Sequence, residues 1–241
     1  MTPEIETYPN KETLANSAAK EFSRHARLAI TRHDRFSVAL AGGSTPRVLY
    51  SLLAGKEYAS KLDWARIHIF WGDERCVAPN HEDSNYRMAF EVMLRHLPIP
   101  VKQIYRMEGE IEPKKSAKDY ENQLQNFFAG KPPRFDLILL GLGADGHTAS
   151  LFPGTKALNE TNRWVLANYV RKLSTWRLTM TASLINQAAN VTFLVSGKGK
   201  PAALQRVLVG RYSPEEIPAQ IIRPDHGQLR WLMDAEAAAL L

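Results

Sequence analysis

Strand-length apolar runs alternate along the whole chain with helical patterns of ten or more residues. This predicts an α/β fold, a single domain with a mainly parallel, Rossmann-like sheet and helices on both faces. Two further observations agree. The run Leu137-Ile138-Leu139-Leu140 is apolar without alternation, as a strand covered on both faces requires. Glycines also stand directly after two of the runs, at Gly42-Gly43 and at Gly141 and Gly143, where strand-to-helix turns are needed.

Leu14, Ala18, Phe22, Ala26 and Ile30 recur at helical spacing and predict one amphipathic helix over roughly residues 11 to 32. Phe36 to Ala41 reads as a strand, and a helix follows with Thr45 as its cap and Pro46 at its first position. Arg66 to Trp71 predicts the next strand, and beyond the Gly72-Asp73-Glu74-Arg75 loop either Asp83 or Ser84 caps a helix running to about Leu97. A helix over 115–129 precedes the strand Phe135 to Leu140. The alternation continues with a strand from Trp164 to Val170, a helix near 181–189, a strand from Val191 to Val195, a helix after Pro201 and a last strand from Leu229 to Met233. Around the first of these, the stretch Arg163 to Trp176 is otherwise read as a surface loop, whose Arg171, Lys172 and Trp176 would suit a lid over an anion.

At 241 residues the chain is long enough for one large core, and no composition break divides the span 1–241. Hydrophobic content of 44% with 23% charged residues argues against disorder. The formal charge of +6 is compatible with an anionic ligand. Lys114, Lys115 and Lys118 share a helix with Asp119 and Glu121, so they read as a solvated face, and no nucleic-acid partner is expected. The start, MTPEIETYPNKE, has no basic segment leading into an apolar core, and the apolar runs are of strand length; a cytoplasmic protein without a membrane partner is expected. A lone cysteine, Cys76, excludes an intramolecular disulfide and reads as a packing residue.

Three motifs carry chemistry. Ala41-Gly42-Gly43-Ser44-Thr45-Pro46-Arg47 outlines an anion cradle, in which backbone amides at a helix start and two hydroxyls suit a phosphate. It lacks the lysine of a Walker A loop, so triphosphate hydrolysis is not indicated. Asp73, Glu74 and Arg75 close a strand with charges that point in different directions, and Arg75 offers a planar fork to an anion. Asp145-Gly146-His147 places a carboxylate two residues from an imidazole, on a loop leaving the carboxyl end of a strand. The overlapping Gly141-Leu142-Gly143-Ala144-Asp145-Gly146 matches the dinucleotide fingerprint, but Pro153 and Gly154 interrupt the helix that fingerprint needs and no acid-ended strand follows at the required distance. His81, Glu82 and Asp83 lack a second histidine or cysteine at ligand spacing, so no metal is expected.

Taken together, AGGSTPRVLY (41–50), WGDERCVAPNHEDSNYRMA (71–89) and DLILLGLGADGHTASLFPG (136–154) resemble the 6-phosphogluconolactonase family. Arg177-Leu178-Thr179-Met180 is similar to its Arg-hydrophobic-Thr segment, and Ser196-Gly197-Lys198-Gly199-Lys200 to its glycine-lysine segment. The related glucosamine-6-phosphate deaminases share the fold, but usually carry Asp-Glu-Tyr where this chain has Asp73-Glu74-Arg75. They also carry a catalytic glutamate where it has Phe152. Sugar-phosphate sensors of transcription regulators are a third comparison, yet the first 35 residues offer one long helix and no helix-turn-helix unit.

The resemblance implies hydrolysis of 6-phospho-D-glucono-1,5-lactone to 6-phosphogluconate, a step of the oxidative pentose phosphate pathway. His147 would be the general base and Asp145 would orient it, directly or through a neighbouring group. Gly42, Gly43, Ser44 and Thr45 would hold the phosphate, with Arg177 and Lys200 as charged partners. Asp73 and Arg75 complete the expected substrate contacts, Arg75 at either the phosphate or the reacting centre. No cofactor is called for, because a lactone carbonyl is already electrophilic and its hydrolysis involves no redox change. The expected partner is the phosphorylated sugar lactone; protein partners stay open.

Overall fold

The computed structural model describes residues 2–129 and 131–241; Met1 and Gly130, both within the expected 1–241 span, lie outside the described residues. Strand β1 covers Glu4–Tyr8 and helix α1 Lys11–His33. Asn10 and Thr13 close a reciprocal capping box at the start of α1, with the Thr13 amide donating to Asn10 Oδ1 at 2.9 Å. Then follow β2 (Phe36–Leu40), α2 (Ser44–Leu53), the short α3 (Lys56–Ala59), β3 (Ile67–Trp71), β4 (Asp73–Arg75) and α4 (Asn85–Val92). After them come α5 (Pro113–Phe128), β5 (Leu137–Leu140), β6 (Val165–Val170), β7 (Thr175–Met180) and α6 (Ala182–Ile185). The chain closes with β8 (Asn190–Val195), α7 (Pro201–Leu208) and β9 (Gln228–Asp234).

Six strands form one sheet in the order β1-β9-β8-β5-β2-β3, and every neighbouring pair is parallel. Its two faces are separate cores. Leu137 and Leu139 of β5 pack in one with Phe22 of α1 and Leu49 of α2, whereas Ile138 and Leu140 pack in the other with Leu124 of α5 and Leu204 of α7. The period-two alternation of a strand thus divides an apolar run between two layers of helices, which is the expected mainly parallel α/β architecture. From β2 the chain passes to β3 on one side, while β5 lies on the other. The carboxyl ends of β2 and β5 therefore flank a topological switch point, where the strand-end loops leave a crevice.

Several expectations are corrected. The strand near Trp164 to Val170 does not join the main sheet: β6 pairs antiparallel with β7, and β7 with β4, in a separate three-stranded sheet. Only four residues, Arg171 to Ser174, separate β6 from β7, too few for the dozen or so that a parallel crossover needs. The stretch Arg163 to Trp176 is consequently a hairpin rather than an open loop. The helix expected to reach Leu97 ends at Val92; Met93 leaves helical geometry and a 3₁₀ turn, Leu94–His96, follows. Near 181–189 only α6 is helical, capped by Thr181. Helix α5 begins before residue 115, with Pro113 at its first turn and the Glu112 carboxylate accepting from the amides of Lys114 and Lys115. Among the described residues no helix is long and apolar enough to cross a membrane.

Candidate active site

The loop after β2 differs from its expected capping. Helix α2 starts at Ser44, so Gly43 takes the cap position with φ 104°, a left-handed backbone that favours glycine, and Pro46 is the third helical residue. Thr45 is not the cap. It is buried, and its hydroxyl lies 2.7 Å from Ser196 Oγ, tying the end of β2 to the end of β8. Ser44 is exposed. Gly42 and Gly43 line the cavity at the switch point, whereas Ser44 and Thr45 do not. A Cβ on Gly42 would fall 1.9 Å from Asn85 Oδ1, so glycine there makes room for a buried amide that sequence reasoning missed.

Strand β4 sends its charges to opposite faces, as a strand must. Glu74 is 2% exposed and accepts from the amides of Arg75, Asn85 and Tyr86, each at 2.8 Å, and from Ser84 Oγ at 3.0 Å. Burial raises its pKa and the three backbone donors oppose that rise, so this carboxylate fastens β4 to the start of α4. On the other face, Asp73 Oδ2 accepts from Ser150 Oγ at 2.7 Å and Asp73 Oδ1 from Asn85 Nδ2 at 3.3 Å. Arg75, whose guanidinium also donates to the Asp83 carbonyl, stands directly opposite Arg177 in the β4–β7 register. Like charges so paired repel. Burial first, and then Arg75, pull the Arg177 pKa below its ordinary value, while Asp73 opposes. Such a juxtaposition is relieved by an anion lying between the two guanidinium groups.

The loop after β5 brings the acid and the imidazole into direct contact. Asp145 Oδ1 lies 2.5 Å from His147 Nδ1 and also accepts the His147 amide at 3.3 Å. The contact needs Gly143, since a Cβ there would sit 2.1 Å from His147 Nδ1. Gly146 supplies the left-handed turn at φ 83°. Phe152 stacks on the imidazole with ring centroids 4.1 Å apart. Asp145 Oδ2 accepts from Lys172 Nζ at 3.2 Å, another contact that sequence reasoning missed. Burial would push the Asp145 carboxyl up, but the hydrogen bond and charge of His147, with Lys172, outweigh it and hold the group at about 2. Lys200 Nζ donates to the Leu142 carbonyl at 2.7 Å; burial lowers its pKa and Asp145 opposes that. After Gly146 there is no α-helix before β6, only the 3₁₀ turn Lys156–Asn159, so the fingerprint-like glycines lack their helix.

One cavity of about 460 Å³ gathers Asp73, Arg75, Asp145, His147, Arg177 and Lys200, with Gly42 and Gly43 in its wall. The volume suits a small polar ligand. Cys76, partly buried against the core, has its thiol pushed up to about 11 by burial and is a poor nucleophile. The His81 ring and the Asp83 carboxylate approach only to 3.8 Å, and no group of three or more His, Cys, Asp or Glu able to hold a metal occurs among the described residues.

A family model described as glucosamine-6-phosphate isomerases/6-phosphogluconolactonase matches residues 9–231. The chain is 42% identical over 241 residues to the 6-phosphogluconolactonase of a Synechocystis species, covering 98% of each chain. It is 40% identical to that of a Nostoc species, covering 100% of this chain and 99% of the relative. Among solved structures, the 6-phosphogluconolactonase from Trypanosoma cruzi superimposes with a TM-score of 0.87 at 30% identity, covering 100% of this chain and 97% of that one. The chain belongs to the glucosamine-6-phosphate isomerase/6-phosphogluconolactonase family.

Proposed function

We propose that the whole span 1–241 works as one domain that hydrolyses 6-phospho-D-glucono-1,5-lactone to 6-phosphogluconate, the pentose phosphate step, with His147 as general base. The names of the relatives support the substrate. The observation that carries the mechanism is the 2.5 Å contact between His147 Nδ1 and Asp145 Oδ1. A carboxylate on Nδ1 favours the tautomer protonated there and leaves Nε2 as the basic nitrogen. Nε2 has no hydrogen-bond partner among the described residues, and the ring lines the cavity. Water attacks C1 as Nε2 takes its proton; the C1–O5 bond of the tetrahedral intermediate then breaks, and the proton passes to O5 as the ring opens. The product acid ionises, releasing one proton that a pH-stat reads.

Arg75 and Arg177 would take the phosphate as a pair, with Lys200 and the open backbone at Gly42 and Gly43 beside them. Asp73 would orient Ser150 and Asn85, and through them the sugar hydroxyls, since its own charge repels phosphate. Ser44 and Thr45 do not line the cavity, and the Thr45 hydroxyl is taken up by Ser196, so the substrate contacts of this loop would come from Gly42 and Gly43. Phe152 favours lactonase over deaminase chemistry, because an apolar ring stacked on His147 stands where the deaminases carry a carboxylate. The test is a substrate panel, phosphogluconolactone against glucosamine 6-phosphate, with spontaneous lactone opening subtracted. Proton release above background from the lactone alone is expected; ammonia from the amino sugar, with no lactone turnover, would overturn the reading.

A further inference from the structure

We infer that Lys172 is a positioning residue, reaching from the β6–β7 turn to clamp the outer oxygen of Asp145 and so fix that carboxylate against His147. The inference rests on the reading of Asp145 and His147 as the catalytic pair. The two oxygens of Asp145 have different partners: Oδ1 takes His147, and Oδ2 takes Lys172 Nζ at 3.2 Å. The carboxylate torsion is broad, and both contacts from His147, its ring Nδ1 and its amide, fall on Oδ1, which leaves Oδ2 free to swing. A second contact from another element removes that freedom.

Lys172 comes from the four-residue turn between β6 and β7, 27 residues from Asp145. Its side chain is 72% exposed, and Asp145 is its carboxylate partner among the described residues. An ion pair this exposed adds little to stability, so orientation and local potential are the properties it can change. Lys172 also stands at the divide between the catalytic cavity and an adjoining one of about 1000 Å³. Lys114, Lys156 and Arg171 line that outer cavity with no ion pair among the described residues, whereas Lys172 crosses the divide to Asp145.

The other charges facing the pair are Lys200 at the start of α7 and, across the cavity, Asp73 and Arg75 on β4 and Arg177 on β7. Arg171, Arg206 and Glu216 lie on the outer side. Lys172 adds a positive charge beside a base that must itself become positive. Removing it leaves Asp145 with Lys200 as its nearby cation, and the Asp145–His147 pair should then hold a proton to higher pH.

The test is Lys172→Met in the full chain, with Lys172→Arg as the conservative rescue. The methionine variant is expected to lose roughly fivefold in kcat with KM changed less than about twofold, and the acid limb of kcat/KM should move up by about 0.5 pH unit. The arginine variant should restore the limb. Imidazole ¹⁵N spectra read the same pair without turnover: the His147 titration midpoint should rise in Lys172→Met, and in an Asp145→Asn background, with no carboxylate left to hold, the methionine substitution should cost no further kcat. A rise in KM with an unmoved limb would make Lys172 a substrate contact and overturn the inference, as would an unchanged His147 titration. If the spectra respond as expected while the kinetic limb stays in place, the clamp stands and His147 as base falls.

Discussion

Replacing Gly143 with alanine is expected to damage catalysis far more than folding. The added Cβ would stand 2.1 Å from His147 Nδ1, 2.2 Å from His147 Cε1 and 2.8 Å from Asp145 Oδ1, whereas unstrained carbon contacts lie near ~3.5 Å. The backbone of Gly143 is outside the left-handed region, so alanine adopts it without strain and the effect is steric alone. The ring must retreat by more than an ångström, which breaks its 2.5 Å contact with Asp145. Because the His147 side chain is 30% exposed it can swing outward, so the stability loss should stay near ~1 kcal/mol, or about 2–4 °C in Tm. A displacement of that size at the proposed base is expected to lower kcat on the order of 100-fold. Gly199→Ala is the control, since its Cβ meets nothing within 4 Å and it does not line the cavity, and it should keep activity within about threefold. The assay is pH-stat turnover of fresh phosphogluconolactone beside a thermal melt. A Gly143→Ala enzyme within threefold of wild type would refute the claim that the close approach at Gly143 sets the geometry of the base.

Further outcomes follow from other contacts. Arg177→Gln and Arg75→Gln should each raise KM roughly 10- to 100-fold with kcat largely kept, as loss of a phosphate contact requires, measured by initial rates and by 6-phosphogluconate inhibition. Asp145 is held at about 2, so its contribution to stability is present above the ordinary carboxylate range near ~3.9 and disappears as pH falls toward 2; the Tm gap between wild type and Asp145→Asn should therefore close between pH 5 and 2. Glu74→Gln replaces one of the two accepting oxygens by an NH2 donor, so two of its four donors lose their acceptor, and it should cost about 2 kcal/mol in denaturant unfolding, with a higher KM because β4 carries Arg75. Phe152→Ala removes a ring that is 7% exposed and should cost about 3 kcal/mol by the same measurement.

The parallel sheet was legible because its strands are apolar on both faces: Leu137 to Leu140 needs two helix layers whatever the tertiary details. Strand β1 carried no such signal, since EIETY is an edge strand whose Ile5 is 49% exposed and whose glutamates meet Arg230. The second sheet was missed for a related reason. Strand β4 has three residues, and the pairing of β6 with β7 depends on the short turn at Arg171 to Ser174 rather than on composition. At the site, local motifs singled out Asp145, His147, Gly42 and Gly43, which short strand-end loops bring to the cavity. Thr45 was misplaced because its partner, Ser196, lies 151 residues away. Asn85 and Ser150 lie within the two longer motifs and Lys172 in the stretch read as suiting a lid, but their contacts to Asp73 and Asp145 are tertiary and no local spacing gives them. For Asn85 the one indirect sign was Gly42, a glycine that makes room for its amide.

The most direct test of the account is His147→Ala, assayed on freshly prepared 6-phosphogluconolactone with spontaneous opening subtracted and 6-phosphogluconate binding measured alongside. Loss of a general base predicts kcat lower by roughly 10²- to 10⁴-fold with product binding retained. Turnover at the wild-type rate would contradict the assignment of His147 as the water-activating base.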